Sequence, residues 1–134
     1  MRRMAVLFAV VACCGCQSGE TEVPGQTEAA GPMASLVNRV WARSDSTGLP
    51  GVMRIFLSDS TLVMDSCWET YQLAKWRAKS DSVLTWQEGS VEVRGTILEL
   101  AGEELVLRVD LANGSHDERY RAAAVPYLCP DMRR

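Results

Sequence analysis

From Val40 onward, apolar residues recur at every second position, and short polar segments interrupt this pattern about every eight to twelve residues. The clearest stretch is 105–111, where Leu105, Leu107, Val109 and Leu111 alternate with Val106, Arg108, Asp110 and Ala112. Alternation with period two is typical of a strand with one buried face, and the polar segments contain turn-forming Ser, Asp and Gly. The pattern therefore predicts an all-β domain.

Eight strands can be distinguished in this pattern. They lie at 40–43, 53–57, 62–64, 70–78, around 84–86, and at 91–100, 105–111 and 118–123. Short connections imply antiparallel neighbours, and a meander of this kind best avoids exposed edges by closing on itself. We expect an antiparallel meander of about eight short strands in a small closed or partly open barrel. An alternative for residues 36–41 is that they begin as a helical turn.

The alternation also predicts which side chains face inward. The expected interior residues are Met53, Ile55, Leu57, Leu84, Trp86, Leu105 and Leu107. In the sixth strand, Val93 and Gly95 share one phase whereas Leu98 and Leu100 share the other, which predicts a bulge or bend near 95–98. The strand at 70–78 leaves two faces open: one holds Gln72, Ala74, Trp76 and Ala78, and the other holds Tyr71, Leu73, Lys75 and Arg77.

The N-terminus has the pattern of a signal peptide. Arg2 and Arg3 precede an uncharged run of small and apolar residues from Ala5 to Cys14. This run is too short for a membrane helix, which needs about twenty residues, but it has the usual length of a signal-peptide core. Cys13-Cys14-Gly15-Cys16 resembles the lipobox of bacterial lipoproteins. The resemblance implies removal of residues 1–15 and lipidation of Cys16, with Cys13 as the alternative.

A polar segment, 17–34, follows the proposed lipidation site and predicts a flexible linker before a domain at 35–134. Gln17 takes the place of the Asp that, in lipoproteins of bacteria with two membranes, marks retention in the inner membrane, so the resemblance implies the periplasmic face of the outer membrane. From Gln17 onward Lys and Arg number 12 and Asp and Glu 17, a net charge of −5. An acidic monomer without a Lys/Arg cluster is not expected to bind nucleic acid.

Two cysteines, Cys67 and Cys129, remain in the mature chain once Cys16 is lipidated. Export to an oxidising compartment favours a disulfide between them, which would stabilise a small domain. The alternatives are a redox-active pair and a metal site that includes His116. No C-x-x-C spacing supports the first alternative, and His116 lies in a predicted turn at 113–117.

Two resemblances concern the domain. Eight predicted strands, Trp41 in the first of them and a cysteine pair that joins an early strand to the tail are similar to a reduced lipocalin-like barrel, in which Arg119 or Arg121 would pack on Trp41. The segment 56–76 is similar to small META-type bacterial lipoproteins, with a hairpin, a cysteine and an aromatic strand. Either resemblance implies a binding or structural envelope protein.

No residue pattern indicates catalysis, a cofactor or a metal. His116 is the one candidate base, and the acidic pairs at 103–104 and 117–118 lie in predicted turns. We therefore expect a non-catalytic interaction or structural module that meets another envelope protein. The alternative is a barrel that binds a small apolar ligand or lipid, and its candidate lining residues are Gln72, Trp76, Trp86 and Tyr120. An internal cavity above about 300 Å³ would favour the alternative.

Overall fold

The structure is a computed structural model, and it describes residues 31–45 and 49–130. A short helix, α1 (Pro32–Leu36), comes first. Eight strands follow: β1 (Trp41–Arg43), β2 (Met53–Phe56), β3 (Thr61–Asp65), β4 (Gln72–Ser80), β5 (Val83–Glu88), β6 (Val91–Ala101), β7 (Glu104–Leu111) and β8 (Gly114–Ala122). Within the described ranges, no helix is long and apolar enough to cross a membrane.

The strands form a closed antiparallel barrel, which confirms the predicted fold class. Each strand pairs with the next along the chain, and β8 returns to pair with β1. β8 begins at Gly114, four residues earlier than expected, because the tight turn lies at 112–113 and Leu111 already pairs with Gly114. The predicted turn at 113–117 is therefore wrong, since His116 and Asp117 belong to β8.

The two ends of the barrel differ. At one end, here called the closed end, α1 covers the core: Leu36 is fully buried, and its carbonyl oxygen accepts a 2.8 Å hydrogen bond from the indole nitrogen of Trp41. Arg39 donates to the carbonyl of Gly102 at the same end. The opposite end, here called the open end, carries the loops 44–52 and 66–71 and the turns 89–90 and 112–113. α1, the first described element, thus lies at the closed end.

Large side chains fill the barrel interior. The fully buried ones include an aromatic set and a ring of aliphatic residues: Trp41, Trp86, Tyr120, Phe56, Leu36, Leu62, Leu84, Leu105, Leu107, Val93 and Val109. Phe56 and Trp76 meet edge to face with centroids 5.4 Å apart. Gly95 lies against Trp86, and a Cβ there would sit 2.7 Å from the indole ring. Because the Trp86 ring packs so closely, glycine is the residue type that fits at position 95 without displacing a neighbour.

The inward face of β2 differs from the expectation. Phe56 belongs to the core, whereas Ile55 and Leu57 do not, and Met53 is buried but outside the core cluster. The prediction that Met53, Ile55 and Leu57 face the interior is wrong, because Arg54 and Phe56 take that face. Arg54 turns inward because a buried carboxylate of β8 receives it, as described below.

Two other expectations on strand faces are resolved. In β4, Ala74 and Trp76 are buried, so that face is the inner one, and Gln72 lies exposed at the end of the strand. In β6, the register against β7 shifts between Ile97 and Glu99, which confirms the predicted bulge. The bulge turns Leu98 outward, where 45% of it is exposed.

The C-terminal segment 123–130, here called the strap, crosses the outside of the barrel. The amide of Ala123 donates to the carbonyl of Val40 at the closed end, and Cys129 is bonded to Cys67 at the open end. The strap thus spans the barrel from its closed end to its open end, where Pro130 lies next to Gly51 in the loop before β2. The disulfide closes a loop of 62 residues, as expected.

Candidate functional site

The most polar part of the barrel interior is a cluster at the open end. It is here called the Glu118 cluster, and it consists of Arg43 from β1, Arg54 from β2, and His116, Glu118 and Tyr120 from β8. Alternation along β8 places Glu118 and Tyr120 on the inner face, where they are 4% and 0% exposed. The cluster therefore joins three neighbouring strands through side chains as well as through the backbone.

Both oxygens of the Glu118 carboxylate have two partners. Oε1 lies 3.1 Å from Arg43 Nη1 and 3.1 Å from His116 Nε2. Oε2 accepts hydrogen bonds from Arg54 Nη2 at 3.1 Å and from the hydroxyl of Tyr120. The same hydroxyl accepts a 2.7 Å hydrogen bond from Arg54 Nε. Charge-assisted hydrogen bonds of this kind are stronger than those between neutral groups.

Arg54 is held on its other sides as well. Its guanidinium lies over the ring of Trp86, 5.0 Å from the centroid, and Nη1 lies 3.4 Å from the sulfur of Met64. Glu88 Oε1 accepts a 2.7 Å hydrogen bond from the indole nitrogen of Trp86 and lies 3.8 Å from Arg54 Nη1. A cation over an indole face is stabilised electrostatically, which helps to offset the cost of burying Arg54.

Interactions within the Glu118 cluster shift the pKa values of Glu118, Arg54 and Tyr120. Burial alone would raise the pKa of Glu118, but the attraction of Arg54, the hydrogen bond from Tyr120 and the attraction of Arg43 outweigh it, so this pKa is lowered. Burial would lower the pKa of Arg54, but Tyr120 and Glu118 raise it above its ordinary value. Burial raises the pKa of Tyr120. At neutral pH the cluster therefore contains a carboxylate, two guanidinium groups and a neutral phenol.

The buried polar atoms of the Glu118 cluster all have hydrogen-bond partners. Across the part of the chain that the structure describes, no buried side-chain nitrogen or oxygen lacks a hydrogen-bond partner. Arg43 extends the network to Asp45, which accepts its Nε at 2.9 Å and also accepts the amide of Arg119 at 3.0 Å. The Glu118 cluster therefore connects β1, β2 and β8 at the open end.

A small cavity lies beside Arg54 at the rim of the open end. Its volume is about 180 Å³. Its lining residues come from β2 and the residue before it, from β3, from the loop 66–71 and from the first residue of β4: Val52, Met53, Arg54, Met64, Asp65, Ser66, Glu69, Thr70 and Gln72. Pockets that hold drug-sized ligands usually have volumes of about 300–1,000 Å³, so this cavity has room for waters or a very small polar molecule.

The four predicted lining residues do not share one cavity. Gln72 lines the rim cavity, whereas Trp76, Trp86 and Tyr120 are packed in the core. Trp76 donates through its indole nitrogen to the carbonyl of Leu57 at the closed end. Trp86 and Tyr120 contact Arg54 at the open end. Of the four predicted residues, the structure thus brings Trp86 and Tyr120 together, and both of them contact Arg54.

The cysteine pair lies at the open end, where Cys67 follows Ser66, one of the residues that line this cavity. Gly51, in the loop before β2, approaches the disulfide so closely that a Cβ there would lie 2.6 Å from Cys67 Sγ. Because Cys67 and Cys129 are bonded to each other, neither offers a thiolate to a metal. His116 lies on β8 against Glu118. The alternative metal site of Cys67, Cys129 and His116 is therefore not assembled.

Arg54 and Glu118 are the site residues that the sequence did not reveal. Glu118 was expected in a surface turn, but it is buried in β8, because the turn before it is shorter than predicted. The available signal was the alternation Glu118, Tyr120, Ala122 that follows Asn113 and Gly114, the residues at which the turn ends and β8 begins. The basic residue that packs on Trp41 is Arg39, 5.4 Å from the ring, whereas Arg119 and Arg121 are exposed.

The predicted signal peptide, the lipidated Cys16 with its alternative Cys13, and most of the linker lie outside the described residues. No protein-family model, no curated protein and no solved structure matches this chain.

Proposed function

We propose that this chain is a membrane-anchored lipoprotein of the cell envelope that acts through its outer surface as a non-catalytic interaction or structural module. The observation that carries the proposal is the filled interior. Eleven large side chains are fully buried inside the barrel, and the cavity beside Arg54 has about 180 Å³. A barrel that is packed in this way offers its exterior, rather than its interior, to a partner.

The two ends of the barrel support the anchored arrangement. The chain enters at the closed end through α1, so a lipid on Cys16 would hold this end toward the membrane. A flexible linker with the length and composition of 17–30 has an expected end-to-end distance of roughly 20 Å. The domain would therefore stay within a short distance of the membrane, on the periplasmic face of the outer membrane.

The anchor is tested with two matched serine variants of the full chain, Cys16→Ser and Cys13→Ser. We expect the wild type and Cys13→Ser to sediment with membranes and to carry acyl mass in denaturing mass spectrometry. Cys16→Ser should be found in the soluble fraction without acyl mass. Membrane association of unacylated Cys16→Ser would refute the anchor, and loss of acylation in Cys13→Ser alone would move it to that residue.

The filled interior is tested by native mass spectrometry of the purified chain. We expect the bare mass, two hydrogens below that of the reduced chain because of the disulfide. An additional mass that disappears on denaturation would instead support the alternative function, a barrel that holds a small apolar ligand or lipid.

A further inference from the structure

Three large aromatic and aliphatic side chains are exposed in one short stretch that runs from the loop 66–71 into the start of β4. Trp68 is 43% exposed, Tyr71 59% and Leu73 62%, whereas Trp41, Trp76 and Trp86 are buried. Exposed apolar residues scattered singly are ordinary, but three within six positions concentrate exposed apolar surface in one short segment. Leu73 also pairs across the sheet with Val63, which pairs with Ile55, and both neighbours are half-buried on the same outer face.

The same outer face becomes basic along β4. Because Ala74 and Trp76 point inward, Leu73, Lys75 and Arg77 point outward, and all three are exposed. Lys79 follows at the bulge between Ala78 and Ser80 and is exposed too. We call the six residues Trp68, Tyr71, Leu73, Lys75, Arg77 and Lys79 the β4 face.

The cations of the β4 face form no ion pairs among the described residues, although Asp59 lies near enough to Lys75 for the Lys75 charge to contribute to the lowered pKa of Asp59. Within the described ranges, no carboxylate lies within 4 Å of Lys75, Arg77 or Lys79, in contrast to Arg108 and Arg121 on the other side of the barrel. Arg94 adds a further cation, because Thr85 pairs with Arg77 on one side and with Arg94 on the other. The rest of the mature chain is acidic, so this face is complementary to an anionic partner.

We propose that the β4 face docks on an anionic phospholipid surface, so that the barrel lies with its side on the membrane. Tryptophan and tyrosine are preferred at the level of lipid headgroups, and each Lys or Arg near an anionic bilayer adds attraction. The strand is nine residues long, about 30 Å, and its basic half ends at the closed end, where the linker enters.

This inference rests on the proposed lipid anchor in one respect. The anchor would make docking an intramolecular event, and weak contacts then suffice to orient the domain. The face itself, however, belongs to the folded domain and is testable in a chain that carries no lipid.

The test uses the mature chain with Cys16→Ser, which lacks residues 1–15 and carries no lipid, with large vesicles of phosphatidylcholine alone or with a third of phosphatidylglycerol. We expect partitioning onto the anionic vesicles that decreases as salt is added, and little onto the neutral ones. Trp68 emission should shift to shorter wavelength on binding, because the other three tryptophans are already buried. Trp68→Phe should lose this shift.

A matched pair of triple variants identifies the face. Lys75→Gln/Arg77→Gln/Lys79→Gln should weaken partitioning on the order of 100-fold, at about fivefold for each charge. Arg108→Gln/Arg119→Gln/Arg121→Gln makes the same change in charge on β7 and β8, across the barrel from β4, and should weaken it less than about fivefold. Leu73→Ser should weaken it more than Leu98→Ser, which changes an exposed leucine on β6.

Equal losses in the two triple variants would overturn the proposal, as would equal binding to neutral and anionic vesicles or no binding to either. None of these results bears on the anchor, because the chain in this assay is not acylated, and the acyl mass of the wild type tests the anchor separately.

Discussion

Glu118→Gln tests whether the cluster at the open end holds the barrel together. The substitution preserves the shape of the side chain but removes a carboxylate that binds both Arg43 and Arg54. Arg54 would keep Glu88 at 3.8 Å and Arg43 would keep Asp45, but the amide nitrogen of the new side chain would face at least one guanidinium. Two buried cations would therefore lose their common partner.

The expected cost follows from the burial of the three side chains. Glu118, Arg54 and Arg43 are 5%, 12% and 17% exposed, so solvent screens their interactions little. Removal of one partner from a buried ion pair typically costs about 3–5 kcal/mol. A small domain has a free energy of unfolding of about 5–15 kcal/mol, so the variant should lose a large share of its stability.

Urea denaturation at pH 7 measures this loss, with Glu104→Gln as the matched control. Glu104 pairs with Arg121 in a bridge whose side chains are 43% and 67% exposed, and loss of such a pair should cost less than about 1 kcal/mol. Equal costs for the two variants, or a cost below about 1 kcal/mol for Glu118→Gln, would refute the stabilising role of the cluster.

The pH dependence gives the same test a second readout. The pKa of Glu118 is lower in the folded chain than its ordinary value of 4.5. Its contribution to stability is therefore fully present above about pH 4.5 and is lost as pH falls through the lowered pKa of the folded state. We expect wild-type stability to fall more steeply than that of Glu118→Gln below pH 5, whereas parallel slopes would contradict this assignment.

Two further predictions concern packing and the disulfide. Gly95→Ala should reduce the free energy of unfolding by about 1–3 kcal/mol, because its Cβ would lie 2.7 Å from the Trp86 ring; Gly31→Ala, where a Cβ meets nothing within 4 Å, is the control. Equal losses in the free energy of unfolding for Gly95→Ala and Gly31→Ala, measured by urea denaturation, would contradict that explanation. Cys67→Ala/Cys129→Ala should cost about 4 kcal/mol, as expected for a closed loop of 62 residues, and the unreduced wild type should show no free thiol from this pair. Quantitative labelling of Cys67 and Cys129 in the denatured, unreduced chain would contradict the bond.

The strand pattern predicted the architecture well because it depends on local alternation. The long strands β6 and β7 each bury one face, and the phase change between Gly95 and Leu98 marked the bulge that the register shows. Short turns between successive strands left few topologies other than a meander, and closure removes its edges. The disulfide followed from the number of cysteines that remain after the proposed lipidation site.

The polar interior could not be predicted in the same way. An arginine in a strand is ordinarily expected to be exposed. The prediction therefore placed Arg54 on the outer face of β2 and its neighbours Met53 and Ile55 on the inner face. The true place of Arg54 depends on Glu118, which lies 64 positions later and reaches it only when the barrel closes. The sequence also left open which side of β4 faces the interior, because Tyr71 and Leu73 are apolar but exposed. Only the packing of the barrel shows that Ala74 and Trp76 face inward.

The weakest place in this barrel should be the seam at β1. This strand has three residues, and its register with β2 is limited to the pairs Trp41 with Arg54 and Ala42 with Met53. By contrast, β6 and β7 pair from Arg94 to Ala101. Side chains compensate at the seam, because Glu118 on β8 binds Arg43 of β1 and reaches past it to Arg54 of β2.

Hydrogen exchange can separate this seam from the rest of the barrel. The amides of Arg43 and Ser44, which donate to Val52 and Arg119, report on β1, and the amide of Ile97, which donates to Ser82, reports on the long strands. We expect the first two to exchange through local opening and to lose more protection than Ile97 in Glu118→Gln, because the lost carboxylate spans β1. Equal losses at all three amides would mean that the cluster stabilises the whole barrel uniformly and that the seam does not open on its own.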